Sequence, residues 1–164
     1  MMAQDTSPLS ILVINPNSSQ TVTKGIERGI ESLKSLFNAN INCIQIDNAP
    51  EAIETKEHIT EIEPLISQVI KESNADAYVI ACFSDPGVSI LRQSGLSNIF
   101  GIAECGILTA AGQPGPIGII SILPASIPRH ALQVSAIGLE SRLAGDLALN
   151  LGVLELENGT SPLC

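Results

Sequence analysis

Apolar and polar positions alternate between two rhythms along this chain. "SILVIN", Ser10 to Asn15, is a short apolar run and predicts a buried strand. Ser19 to Phe37 places Val22, Ile26, Ile30, Leu33 and Phe37 at helical spacing. "INCIQI", Ile41 to Ile46, alternates and predicts an edge or second strand. Glu57 to Glu72 carries Ile59, Ile62, Ile66 and Ile70 on one helical face, with Pro64 marking a kink or a helix start. Ala77–Cys82, Asn98–Ile102 and Ile117–Ile122 predict three further strands. Val88–Gln93, Glu104–Ala111 and Ile127–Ile137 predict the helices between and after them.

Strands alternating with helices imply an α/β fold, a mostly parallel sheet with helices on both faces. Ligands in such sheets collect at the carboxyl ends of the strands. The loops after Ile14, Ala81 and Ile120 carry small polar residues there. "ILVINPNSSQTVTKGI" and "IGIISILPASIPRHAL" share an order of strand, Pro with small polar residues, then helix. The match is loose, and any two strand–loop–helix units share part of it. An N-terminal α/β domain over residues 1–103 and a partial second one over 104–164 are expected, without resting on that match.

Composition narrows the function classes. The 164 residues are enough for one core and marginal for two domains. Hydrophobic residues make up 45% and aromatic ones 2%, so Ile, Leu, Val and Ala must fill the interior. A net charge of −9 repels phosphate backbones, which argues against nucleic acid as a partner. No basic amphipathic segment or spanning-length apolar run points to a membrane. The opening "MMAQDTSPLS" has no positive n-region and no apolar h-region, so no signal peptide is read and a cytoplasmic location is expected. Cys43, Cys82, Cys105 and Cys164 are too widely spaced for a zinc pattern, and no metal is expected.

Two loops carry candidate chemistry. In "NPNSS", Asn15 to Ser19, Ser18 or Ser19 can cap the helix that follows. Asn15, Asn17 and the remaining amides can cradle a carboxylate or an imide-like oxygen. Simple capping explains the same residues. Cys82 ends a strand, and the turn Phe83-Ser84-Asp85-Pro86-Gly87 can bring a helix N-terminus near its sulfur. Dipole and amides there would favour a thiolate able to act as base or nucleophile. An inert buried thiol is the other reading, and position does not separate the two. Cys43 reads as filler within a strand, and Cys164 sits on the terminal segment. Cys105 stays under suspicion at a strand-to-helix turn. Glu104 could cap a helix, support a loop or touch substrate. Arg129 reads as a solvated charge, with an anion contact as the alternative, and His58 and His130 as helix or surface positions.

Together, "ILVINPNSS", "DAYVIACFSDPGV", "FGIAECGILTA" and "IGIIS" resemble, in order, segments of the Asp/Glu/hydantoin racemase family. The Phe-x-Asp-Pro-Gly run after Cys82 is similar to its hydantoin or allantoin racemase branch. The resemblance implies a cofactor-independent racemase acting on a small molecule, at a carbon acid next to carbonyls. It implies that Cys82 is a proton-transferring thiol, and that Asn15, Asn17, Ser18, Phe83, Ser84, Asp85 and Glu104 bind substrate. The family uses a second cysteine in a similar motif late in its chain. The Asn15-to-Cys82 spacing, carried onto Ser121, puts that partner beyond Cys164. The chain is therefore expected to be truncated, with residues after Leu143 poorly packed and two-base turnover lost. A one-cysteine decarboxylase and a non-catalytic binding remnant are the alternatives. Surface left open by a missing half-domain would favour a homo-oligomer.

Overall fold

A computed structural model describes residues 7–34 and 36–157; Cys164 lies outside the described residues. Four strands form the first sheet: β1 (Leu9–Asn15), β2 (Ala39–Gln45), β3 (Ala77–Ile80) and β4 (Ile99–Gly101). Their order is β2-β1-β3-β4, and all neighbours are parallel. β2 is thus an edge strand, which suits its polar alternate positions. The connections are α1 (Gln20–Lys34), α2 (Lys56–Glu72) and α3 (Val88–Gln93). A second sheet pairs β5 (Ile117–Ser121) in parallel with β6 (Leu143–Ala148). α4 (Ile102–Ala111) leads into it from β4, and α5 (Ile127–Ala136) crosses from β5 to β6. α6 (Val153–Glu157) ends the described chain.

Several expectations need adjusting. Leu143–Ala148 is a paired strand, with Ile117 opposite Leu143 and Ser121 opposite Ala148, so this part of the segment beyond Leu143 is held in a sheet, while residues 158–164 lie outside the described residues. Its pattern hides the strand because its residues are only half-buried or exposed, and the one side chain held deep, Asp146, is polar. α2 runs unbroken through Pro64, because Ile62, Ile66 and Ile70 are buried on one face and their packing outweighs one lost backbone bond. Phe37 lies beyond α1 and is exposed.

The main core is aliphatic. Ile14, Ile62, Ile66, Ile80 and Ile99 are fully buried between the first sheet and its helices. Tyr78 is the aromatic member of that cluster, and its hydroxyl bonds Ser73 at 3.3 Å. The second sheet has a much smaller cluster, Ile107, Ile119 and Val134. Polar fixings supplement it. Arg142 donates from Nε to the Gly115 carbonyl (2.9 Å) and from its Nη atoms to those of Gln113 (2.8 Å) and Ala111 (3.3 Å). Among the described residues no helix is long and apolar enough to cross a membrane.

Candidate active site

Register brings the loops together. Ile14 faces Ile80 across β1 and β3, and the Ala81 amide donates to the Ile14 carbonyl at 2.9 Å. The next residues along each strand are therefore neighbours at the sheet's carboxyl edge. They are Asn15 and, one step further, Cys82. Both line a cleft of about 190 Å³ that also reaches the end of β5 and the first turn of α5.

The "NPNSS" loop is held by its own side chains. Asn15 Nδ2 donates to Asn17 Oδ1 (2.7 Å), the Ser19 carbonyl (3.2 Å) and Thr23 Oγ1 (3.1 Å). Asn15 Oδ1 accepts from the Asn17 amide at 3.3 Å, and Asn17 Oδ1 accepts from the Ser19 amide at 2.9 Å. Ser19 Oγ caps α1 by accepting from the Val22 amide at 3.4 Å. These bonds do not use Asn17 Nδ2, and Asn17 lines the cleft. Ser18 is half-buried and is held through its backbone, its amide donating to the Pro50 carbonyl at 3.1 Å. It does not line the cleft.

Cys82 is half-buried, two residues past the end of β3. Burial, the largest influence, pushes its thiol up from the ordinary value. The Ser84 amide and hydroxyl pull it down, as does the Arg129 charge, while Asp85 pushes it up again. The free cleft therefore favours a thiol, with thiolate-stabilising groups already in place. Phe83 and Ser84 also line the cleft. Cys43 lies on β2 and exposed Cys105 on α4, and neither lines it.

Asp85 and Glu104 stand elsewhere. Asp85 has φ 46°, a left-handed conformation that Asp tolerates better than most residues. Its Oδ1 accepts from the Ala103 amide (2.9 Å) and its Oδ2 from the Glu104 amide (2.7 Å). It thus caps α4. Gly101 is obligatory beneath it, since a Cβ there would lie 2.1 Å from the Asp85 carboxyl carbon. Glu104 Oε2 accepts from Arg92 Nη1 at 2.7 Å. Neither carboxylate lines the cleft that holds Cys82.

The opposite wall was not anticipated from the sequence. His130 takes the helix position rather than the surface one of the two expected, being only 3% exposed on α5, and its Nδ1 meets Asp146 Oδ2 at 2.7 Å. Ser121 Oγ donates to the other oxygen of Asp146. The carboxylate fixes the ring orientation and leaves Nε2 as the nitrogen free of that pairing. Phe83 packs its ring edge-on to His130, 5.2 Å between centroids. Arg129 is half-buried rather than a fully solvated charge. It lines the cleft, and its Nε is buried without a hydrogen-bond partner. Burial lowers its pKa, while the nearby Cys82 sulfur raises it. The available signal was "LPASIPRH": a proline-marked helix start after a strand end places the first-turn side chains at the sheet edge.

The family model of Asp/Glu/hydantoin racemases matches residues 11–164. The chain belongs to that family. It is 32% identical over 155 residues to a hydantoin racemase from Paenarthrobacter aurescens, covering 89% of this chain and 63% of that one. An allantoin racemase structure from Klebsiella pneumoniae superposes with a TM-score of 0.84 at 26% identity, covering 93% of this chain and 63% of that one. The allantoin racemase structure from Pseudomonas fluorescens gives 0.83 at 22% identity, over 93% and 65%, and bears on the fold alone. This racemase-family chain thus spans less than two thirds of the length of these proteins.

Proposed function

We propose that the cleft racemises a carbon acid flanked by carbonyls, of hydantoin, allantoin or amino-acid type, with Cys82 transferring the proton on one face. The single observation that carries this reading is the placement of Cys82 beside the Asn15–Asn17 loop in one cleft. The Cys82 thiolate takes the α-proton, and the C–H electron pair moves into the adjacent carbonyl to give an enolate. Return of a proton from solvent water to the opposite face of the carbon, with the electron pair moving back, gives the inverted product, and the hydroxide left behind takes the proton from Cys82. Asn17 Nδ2 and the groups around Cys82 are donors of the kind that lower the cost of the enolate oxygen. A cofactor has no step in this scheme. Asp85 and Glu104, proposed from the sequence as substrate contacts, act in this reading through the loop and α4.

Incubation of an enantiopure 5-substituted hydantoin in deuterated water tests the proposal. Racemisation with deuterium entering the α-carbon is the expected result, and Cys82→Ser should lower it at least a hundredfold. Exchange without racemisation would mean one working base and would favour decarboxylase-like one-cysteine chemistry. Absence of both from the unaltered chain would refute the racemase reading.

A further inference from the structure

The chain is strongly acidic, yet none of the side chains lining the Cys82 cleft is a carboxylate. Arg129 brings a guanidinium into the same wall. His130, the other basic group there, is already matched by Asp146. No ion pair is recorded for Arg129 among the described residues, and its Nε is buried with nothing to donate to. A buried donor left unmade carries the full cost of its desolvation. Cys82 does not compensate the charge in the free cleft, because burial holds it toward the neutral thiol. Ser126, Arg129 and His130 also place the amino-terminal turn of α5 against the cleft, and the positive end of a helix dipole has the same sign as Arg129.

We infer that the Cys82 cleft is an anion site in which Arg129 receives a carboxylate of the ligand. Resting on the racemase reading, the inference narrows the substrate to a carbon acid that carries a carboxylate, on the stereocentre or in its side chain. A neutral ring leaves the guanidinium unmatched. A bidentate carboxylate fits its planar fork and locks the ligand's orientation relative to the sulfur. A lysine can supply the charge but not the fork.

Alkylation of Cys82 tests the site without requiring turnover. The Cys82 thiolate displaces iodide from both iodoacetate and iodoacetamide, so the ratio of the two rates cancels the thiolate fraction and reports the local potential. Peptide mass spectrometry separates Cys82 from the other cysteines, and mercaptoethanol gives the reference ratio. The expected iodoacetate preference at Cys82 is about tenfold over the reference at low salt, shrinking toward one in 1 M salt. Arg129→Gln should abolish it and Arg129→Lys keep most of it. A wild-type ratio at or below the reference overturns the inference, with no need of a variant. Retention of the preference in a folded Arg129→Gln protein overturns it as well. Protection from iodoacetamide supplies the ligand arm: hydantoin-5-acetate should protect Cys82 at about tenfold lower concentration than neutral 5-ethylhydantoin. Equal protection overturns the substrate class. Failure of the deuterium assay with a positive alkylation ratio removes the racemase reading and leaves the anion site.

Discussion

The two sheets are built by different means. Among the described residues, eleven buried side chains around β1–β4 form one cluster, dominated by isoleucine. Around β5 and β6 only three do, and the larger constraints are polar: Asp146 between Ser121 and His130, and Arg142 on the end of α4. Burial of aliphatic area is non-directional and tolerates small shifts. A buried carboxylate holding two partners is directional and fails as a unit. The first region thus supplies the apolar mass beneath the edge that carries Cys82 and the Asn loop. The second orients the charged and polar wall that faces them.

Truncation experiments sharpen this contrast. Ile66→Ala, in the large core, should cost about 4 kcal/mol in urea unfolding. Asp146→Ala should cost about 3 kcal/mol, because it strips partners from buried His130 and Ser121 together. Val134→Ala, fully buried in the small core, should cost about 2 kcal/mol. The contrast breaks if Val134→Ala proves costlier than Asp146→Ala. Asp85→Ala removes two amide acceptors at the start of α4 and should cost about 1–2 kcal/mol, with little change in the alkylation ratio at Cys82.

A smaller effect comes from pH. Burial raises the folded-state pKa of the Cys82 thiol above its unfolded value. The associated stability is fully present below the unfolded thiol pKa and is lost as pH rises through the folded one. Chemical denaturation on the alkaline side should therefore show a downward slope that Cys82→Ala reduces. Under the proposed chemistry the rate rises with pH on the same side, since the base is the thiolate. Arg129→Gln removes a charge that opposes the upward shift, so that limb should move to higher pH. An unmoved limb would detach Arg129 from the sulfur.

Periodicity was enough for the strands and helices around the large core, since Ile62, Ile66 and Ile70 declare a buried face by spacing alone. The same logic missed β6, whose residues are half-buried or exposed and give no clean alternation. It also placed the start of α4 at Glu104 rather than Ile102, because the capping group, Asp85, is remote in sequence.

By itself the sequence determined the parallel α/β plan and the family, and it put a cysteine and an asparagine loop at strand ends. Those follow from local patterning and motif, which a linear string contains. Only the tertiary structure decided which basic side chains share the cleft with the sulfur. Arg129 and His130 are adjacent residues on one helix turn, yet one is matched by Asp146 across the sheet and the other's Nε meets no partner. Charge pairing depends on distances between elements remote in the chain, and no local pattern encodes them.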